Sequence, residues 1–293
     1  MEERERVAER FETHRSRLHA VAYRMLGSSG EAEDAVQETW LRLARAEVGQ
    51  IDNLGGWLTT VLSRICLDAL RVRASRREEL VGDGSSDDAD LGQDVDPERE
   101  AVLVDSVGRA LLVMMDRLGP DERVAFVLHD LFAVPFDEIA PIVRRTTPTT
   151  KKLASRARQR VQGASSVPAP ELARHRHLVE AFLAASRAGD LEAILTVLAP
   201  DVVRRADPAA LPSGRAREVR GARTVAEEIA VFGANARFAA PALVGGDVGI
   251  VVAPYGRLRA ALVVTVDGDR IAAYELVADP ERLRALELAV LDG

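Results

Sequence analysis

Residues 135–161 read PFDEIAPIVRRTTPTTKKLASRARQRV, and two helical patterns separated by a short break run through them. In the first part the apolar positions recur at helical spacing, which predicts an amphipathic helix over residues 136–143. Residues 144–147 form a break that is too short to be a linker. A second helix is expected directly after it, with Thr147 as N-cap and Pro148 in the first turn.

The second helix has one apolar stripe and one polar, basic face. Its apolar residues fall four apart: Leu153, Ala157 and Val161. Its other face carries Thr149, Thr150, Lys151, Lys152, Arg156, Arg158 and Arg160. Two helices joined by a tight turn, the second with polar and cationic residues at its start, predict a helix-turn-helix that reads the major groove.

The charge distribution favours a nucleic-acid surface over an ordinary solvated helix face. Residues 144–162 contain seven cations and no carboxylate, although the whole chain has a formal net charge of -7. A basic helix alone is often only a solvated face. An acidic protein that binds nucleic-acid phosphates needs a local cluster of basic residues, and this segment provides one.

Composition sets the class of protein. The chain has 293 residues, of which 47% are hydrophobic and 29% charged, which predicts a globular protein of two or three domains. No apolar run is long enough for a membrane span and the N-terminus is charged, so we expect a cytoplasmic protein that does not bind membranes. Cys66 is the single cysteine, and the five histidines show no metal-ligand spacing. We therefore expect neither a metal site nor a cofactor.

The N-terminal part predicts a helical domain. Ser28 followed by Glu31 is a capping box before a helix whose outer face carries Asp34, Gln37 and Glu38. From the residues alone that face is only solvated. A later helix begins near Trp57 and becomes basic along its length, with Arg64, Arg71 and Arg73. Cations and an aromatic ring beside a loop suit single-stranded nucleic acid, whereas the alternative is a core tryptophan with solvated arginines.

Domain boundaries follow from composition. Residues 81–100 hold eight carboxylates and one arginine with glycine and serine, which predicts a flexible acidic linker between domains 1–80 and 101–162. A Pro and Ser linker is expected at residues 163–171. Residues 172–293 begin with helical patterns and end with three strand patterns, GIVVA, RAALVVTV and RIAAYELV. This order predicts an α+β domain with a curved antiparallel sheet.

Three stretches resemble sigma-70 family sigma factors of the extracytoplasmic-function type. RMLGSSGEAEDAVQETWLRL resembles sigma region 2, LGGWLTTVLSRICLDALRVRASRREE resembles its promoter-melting continuation, and the stretch from Leu118 to Val161 resembles region 4. The resemblance implies two all-α sigma domains that bind RNA polymerase core, through its β′ clamp helices and β flap, and promoter DNA. It implies no catalysis by this chain.

The resemblance also implies residue roles. Asp34, Gln37 and Glu38 would contact the β′ clamp helices of the polymerase. The minus-10 element would be bound by Asp52, Asn53, Trp57, Arg64, Arg71 and Arg73. The minus-35 element would be read by Arg144, Arg145, Thr149, Thr150, Lys151, Lys152 and Arg156.

The C-terminal domain resembles the SnoaL-like cone that is fused to one group of these sigma factors. ADPERL at residues 278–283 is similar to the signature that ends that domain, whereas the match around Asp207 and Arg217 is loose. The resemblance implies regulation in cis, with a regulatory pocket at Asp207, Phe232 and Tyr274 that would hold a small-molecule ligand. Two alternatives stay open: a one-component helix-turn-helix regulator with a ligand-binding domain, and a cone with cyclase or isomerase activity using Asp207, Glu275 or Tyr274.

Overall fold

The computed structural model describes residues 2–47, 51–80, 108–212 and 214–291. The chain divides into two compact units. The first comprises residues 1–107 and 115–159, and the second comprises residues 108–114 and 160–293. The predicted acidic linker at residues 81–100 lies outside the described residues. No helix within the described ranges is long and apolar enough to cross a membrane.

Three helices open the first unit: α1 (Glu2–Leu26), α2 (Ser29–Leu43) and α3 (Leu54–Leu80). Gly27 adopts a left-handed conformation (φ 75°) that ends α1, as helix C-termini favour. The Ser28 hydroxyl then accepts a hydrogen bond from the Glu31 amide at 3.4 Å, so the predicted N-cap of α2 is confirmed. The three helices pack on one another around fully buried side chains such as Met25, Leu58 and Leu62.

The next helices form the predicted helix-turn-helix and its support. They are α4 (Arg109–Asp116), α5 (Pro120–Phe126), which continues as a wider π turn at Val127–Leu131, α6 (Phe136–Val143) and α7 (Thr147–Gln162). Both α5 and α6 pack against α3. The helix predicted over residues 136–143 is therefore present with the same bounds.

The turn between α6 and α7 differs from the prediction by one residue at its cap. Arg144 takes a left-handed conformation (φ 56°) and closes α6. Thr146, not Thr147, caps α7: its hydroxyl oxygen accepts from the Thr149 amide at 3.4 Å, and its carbonyl accepts from the Thr150 amide at 2.9 Å. The shift occurs because either threonine can serve as a cap, and the turn geometry selects between them.

The second unit contains both helices and strands. Its helices are α8 (Ala169–Ala188), α9 (Leu191–Val197), α10 (Ala222–Phe232) and α11 (Pro280–Ala285). Its strands are β1 (Leu198–Ala206), β2 (Glu218–Arg220), β3 (Ala239–Val244), β4 (Asp247–Val252), β5 (Ala260–Asp267), β6 (Arg270–Val277) and β7 (Leu288–Ala289). In the described residues these strands make one sheet in the order β2-β1-β6-β5-β4-β3-β7.

The sheet is mostly antiparallel, with β1 and β6 as a parallel pair. Irregular register in β1 and in the β5–β6 pair bends it. The helices α8 and α10 pack against β4 and β1, respectively, and close a core that includes Val179, Phe182, Ile194, Ile250 and Tyr274. The predicted α+β class of this domain, after two predominantly helical regions, is confirmed.

Candidate nucleic-acid interface

The polar face of α7 is open to solvent. Thr149, Lys151, Lys152 and Arg156 are exposed, whereas Ala154 and Ala157 on the opposite face are buried. The Lys151 ammonium lies 5.9 Å from the centroid of the Phe136 ring, so a contact with α6 orients it. The N-terminal turn of such a helix is the part that reaches base edges in the major groove.

Thr150 requires a correction. Its side chain is fully buried, and its hydroxyl donates to the Thr146 carbonyl at 3.1 Å. The predicted role in reading bases is wrong for this residue, because the side chain points into the protein and its donor is already used. Thr149, one position earlier, keeps an exposed hydroxyl 2.9 Å from that of Thr146.

A surface hollow precedes α3. Asp52, Asn53 and Trp57 line it together with Ala46, Glu47 and Ile51. The Asn53 side-chain oxygen accepts from the Gly56 amide at 3.0 Å and so caps α3. The structure thus brings three predicted minus-10 residues to one place. An aromatic side chain beside carboxylate and amide groups offers an unstacked base both a ring and hydrogen-bonding partners.

The basic residues of α3 have different surroundings. Arg64 is exposed. The Arg71 guanidinium donates to the Asp121 carboxylate at 2.8 Å, and Arg145 donates to the other oxygen of the same carboxylate at 3.2 Å. Arg73 donates to the Leu26 carbonyl at 3.0 Å and also pairs with Glu31. Arg71 comes from the predicted minus-10 surface and Arg145 from the predicted minus-35 surface, and both are bound to the Asp121 carboxylate.

The outer face of α2 carries a small acidic and amide surface. Asp34 and Gln37 are exposed, and Glu38 is half-buried with its carboxylate 3.0 Å from the Arg42 guanidinium. The i, i+3, i+4 spacing places the three side chains on one side of the helix. Neither Asp34 nor Gln37 has a hydrogen bond or ion pair with another described residue. The face is therefore free to bind a partner.

Two family models match the chain. Sigma-70 region 2 matches residues 10–76, which hold the acidic α2 face, the hollow and most of α3. Sigma-70 region 4 matches residues 108–161, which hold α4 to α7. Both matches fall on the helical part and leave the α+β domain outside them.

Relatives extend the similarity beyond the helical part. The chain is 41% identical over 208 residues to the probable ECF RNA polymerase sigma factor SigI of Mycobacterium tuberculosis, covering 71% of this chain and 72% of SigI. It is 36% identical over 291 residues to the ECF RNA polymerase sigma factor SigJ of the same organism, covering 93% and 91%. The chain belongs to the ECF sigma factors. The crystal structure of M. tuberculosis SigJ aligns with 94% of this chain and 98% of its own at 30% identity, with a TM-score of 0.45.

As an ECF sigma factor the chain has RNA polymerase core and promoter DNA as partners. Its described residues also include two groups that sequence reasoning missed, Arg109 and Asp121. Arg109 is buried and its guanidinium donates to the Ala253 carbonyl at 2.8 Å, a partner 144 positions away in the sequence. No local pattern could have indicated that contact. Asp121 is interpretable from sequence only as a helix-cap residue, because its arginine partners are also distant.

Asp207, predicted for the regulatory pocket, has a structural role in this sigma factor. It is buried, and one carboxylate oxygen accepts from the amides of Ala278 and Asp279 at 3.0 Å each while the other pairs with Arg282. Desolvation alone would raise the pKa of Asp207, but these amides and the Arg282 guanidinium outweigh it and hold the pKa below its usual value. The carboxylate fastens the end of β1 to the segment before α11.

The predicted pocket is therefore only partly assembled. Tyr274 lines a cavity of about 580 Å³ in the second unit, whereas Asp207 is not among the residues that line it. The Phe232 side chain lies outside the described residues. Glu275, a candidate for catalysis, binds the Arg282 guanidinium at 2.8 Å. Asp207 and Glu275 thus both serve Arg282, and the predicted Asp207 role in the pocket is wrong.

Proposed function

We propose that this ECF sigma factor works in the cytoplasm through two surfaces on its helical regions and that its C-terminal domain controls them in cis. The observation that carries the cis control is that both ends of region 4 belong to the second compact unit. Residues 108–114, at the start of the region 4 match, and residues 160–161, at its end, lie with the α+β domain.

The start of region 4 is held through Arg109 and Leu112. Besides the bond to Ala253, the Arg109 guanidinium lies 5.9 Å from the centroid of the Phe238 ring. Gly256, with φ 74°, allows close approach of Leu112: a Cβ at this glycine would stand 2.9 Å from the Leu112 Cδ1. A buried cation with a carbonyl and an aromatic partner is a specific anchor, because an unpaired guanidinium would be costly there.

The end of region 4 is held by β7 and the residue that follows it. The Val290 amide donates to the Val161 carbonyl at 2.7 Å, and Gly163 lies so close to Ala289 that a Cβ at position 163 would clash with the Ala289 side chain. The following segment is also attached, because the Ser166 amide and the hydroxyls of both Ser165 and Ser166 donate to the Gly246 carbonyl. Rearrangement of the α+β domain would therefore act directly on the ends of the DNA-reading region.

On the helical side, we assign the α2 face to polymerase docking. Asp34, Gln37 and Glu38 present acid and amide groups with room for a cationic partner surface. The hollow at Asp52, Asn53 and Trp57 would receive an extruded base of the minus-10 element, since base extrusion has to be offset by a fitted site. The exposed Lys151, Lys152 and Arg156 of α7 would contact the minus-35 element.

Two states of the molecule follow from the contacts of Asp121. While Arg71 and Arg145 are bound to this carboxylate, neither is available to DNA phosphates. A polymerase-competent state would exchange these ion pairs for phosphate contacts, and the α+β domain would bias the equilibrium between the two states. The free-energy difference is small, because partly exposed ion pairs contribute only about 0.2–1 kcal/mol each.

The rival functions account for fewer observations. A one-component repressor has no use for the exposed Asp34 and Gln37. An enzyme in the α+β domain would need an available acid or base in the cavity. Asp207 is not among the residues that line it, and Glu228, which lines it, is paired with Arg204.

A pull-down with purified polymerase core tests the docking assignment. We expect Asp34→Arg to abolish binding of the full chain to core, because it replaces an exposed carboxylate of the face with a cation. The matched control is Asp201→Arg, which reverses an exposed carboxylate on β1. Equal binding of both variants to core would refute the assignment of the α2 face to polymerase docking.

Run-off transcription tests the cis control. The full chain and a chain ending at Ser165 are compared with the same core and promoter. A gain on truncation would make the domain an inhibitor, and activity restricted to the intact chain would make it an activator. Equal activity would contradict control in cis.

A further inference from the structure

Lysine occurs at one place in this chain. Of the 39 lysines and arginines only two are lysines, Lys151 and Lys152, and both are exposed in the first two turns of α7. An arginine carries a planar fork of donors, whereas a lysine is a point charge at the end of a flexible four-carbon stem. The direction of a lysine ammonium is therefore set by its surroundings, and the two lysines differ in what surrounds them.

The Phe136 ring lies beside one of these two lysines. The Lys151 ammonium is 5.9 Å from the centroid of that ring, within the range of a cation–π contact. Among the described residues the Lys151 ammonium has no hydrogen bond or ion pair, and Lys152 has no aromatic partner. An aromatic face attracts a cation and leaves its three N–H donors open, whereas a carboxylate would accept hydrogen bonds from them. Lys151 is thus restrained and still able to donate.

The Phe136 ring is itself held by the π turn that precedes α6. Its centroid is 3.7 Å from that of the His129 ring, and the two ring planes are 30° apart. The His129 Nδ1 lies 3.1 Å from the Val134 carbonyl oxygen and donates to it, because a carbonyl can only accept. Phe136 is half-buried, whereas Ile139 and Val143 of the same helix are buried. The ring is therefore oriented by its neighbours, while other side chains make the core contacts of α6.

We propose that Phe136 is a positioning residue for promoter reading, which holds the Lys151 ammonium at a base edge of the minus-35 element and away from the phosphates. A flexible lysine reaches phosphates, which carry no sequence information, as well as base edges. An ammonium held at one place meets the acceptors of one base pair and not those of another. The ring thereby gives a general cation a sequence preference. This role rests on the proposed reading of the minus-35 element by α7.

Binding-site selection by the holoenzyme measures this preference. Lys151→Ala identifies the base pair whose discrimination depends on the ammonium. Phe136→Leu keeps an apolar side chain and removes the aromatic face, so we expect discrimination at that base pair to fall roughly twofold to fivefold. Phe136→Tyr keeps the aromatic face and should preserve the wild-type preference. Wild-type discrimination in Phe136→Leu, or an equal loss in Phe136→Tyr, would refute the proposal.

The matched control is a second phenylalanine of the same unit. Phe132 is also half-buried, and its ring lies 5.4 Å from the Arg24 guanidinium. Phe132→Leu removes an aromatic partner of a cation that does not belong to α7. We expect the sequence preference to stay unchanged in this variant. A loss of discrimination equal to that of Phe136→Leu would show that the effect is not specific to the lysine contact.

A double variant separates positioning from a structural role. If Phe136 acts through Lys151, Phe136→Leu should change nothing further in a Lys151→Ala chain. Damage to the packing of α6 and α7 would instead weaken binding to every promoter sequence by the same factor. An equal effect of Phe136→Leu with and without Lys151 would refute the positioning role.

Lysine-selective isotope labelling detects the contact in the full chain. Because the chain has only two lysines, ¹³Cε-lysine gives two lysine signals, which Lys152→Arg assigns. We expect the ring current of Phe136 to move the Hε protons of Lys151 upfield of those of Lys152. This difference should disappear in Phe136→Leu and remain in Phe136→Tyr. A Lys151 signal that does not respond to Phe136→Leu would overturn the proposal.

The same variants distinguish this proposal from the function on which it rests. A wild-type sequence preference in Lys151→Ala would refute the proposed reading by α7, and the role of Phe136 in it, even where the labelled lysine shows the ring contact. An altered preference in Lys151→Ala together with an unaltered one in Phe136→Leu would refute the positioning role alone.

Discussion

Replacing Arg109 by methionine tests whether the second unit holds the start of region 4. Methionine keeps an apolar stem of similar length and removes the guanidinium, which donates to the Ala253 carbonyl at 2.8 Å and faces the Phe238 ring. A hydrogen bond to a charged group contributes about 1.5–3 kcal/mol, and a desolvated cation–π contact about 1–2 kcal/mol. Relief of the desolvation cost of Arg109 offsets part of this sum, which leaves a net loss of about 2 kcal/mol.

A loss of about 2 kcal/mol corresponds to a roughly thirtyfold larger population in which α4 is detached. Hydrogen exchange of the α4 amides in the full chain measures this opening directly. We expect these amides to exchange roughly thirtyfold faster in Arg109→Met, with little change in α1 and α2. The control is Arg176→Met, which removes an exposed pair with Glu180 within α8. Exchange of α4 at the wild-type rate in Arg109→Met, or equal acceleration in the control, would refute the reasoning.

Three further predictions follow from single contacts. Asp121→Asn should strengthen promoter binding by the holoenzyme roughly twofold to fivefold and steepen its salt dependence, because it releases two arginines for DNA phosphates. Fluorescence anisotropy over a salt series measures both effects, and weaker binding would contradict the two-state account. Lys151→Ala should weaken promoter binding by about 1–3 kcal/mol and alter the sequence preference, whereas Thr150→Val should leave the sequence preference unchanged. A binding-site selection experiment measures the preference, and the reverse result would show that Thr150 contacts the DNA. Asp207→Asn should lower the free energy of unfolding at pH 7 by about 2 kcal/mol, measured by urea titration. This difference from the wild type should shrink below about pH 4, because a carboxylate with a lowered folded-state pKa loses its stabilising effect as pH falls through that value. A difference independent of pH would show that the charge of Asp207 is not what stabilises the fold.

Sequence patterns predict the helices well, because the period and the end signals agree. Phe136–Val143 has the same bounds in the structure as in its apolar pattern. The pattern does not decide which of two adjacent threonines caps α7, because the side chains of both Thr146 and Thr147 suit an N-cap. The polar face of α7 is narrower than the pattern predicts. Thr150 lies four residues before the buried Ala154 and is itself buried, so it belongs to the inner face of the helix.

The strands were predicted where their patterns are strong and missed where they are not. The patterns that end the chain correspond to β4, β5 and β6. β1 and β3 were missed because each contains a proline, Pro200 or Pro241, which argues against a strand. β2 and β7 have only three and two residues, too few for any period to show.

The candidate site was predicted only in its local parts. Asn53 and Trp57 are neighbours in sequence and in the hollow, whereas the Asp121 pairs and the Arg109 anchor join residues far apart in the chain. Tyr274 was predicted for the pocket by resemblance, and its place in the cavity depends on the β1–β6 register. Asp207 was misassigned because a buried acid can serve either chemistry or loop attachment, and only its two backbone amide donors distinguish the roles.

Mapping of transcription start sites with purified polymerase core tests the central claim most directly. Core alone, core with the full chain, and core with the Asp34→Arg chain are given the same library of promoter fragments. The account predicts that the full chain confers a discrete set of start sites, each preceded by two shared sequence elements, and that Asp34→Arg abolishes this selection. A start-site distribution identical to that of core alone would contradict it.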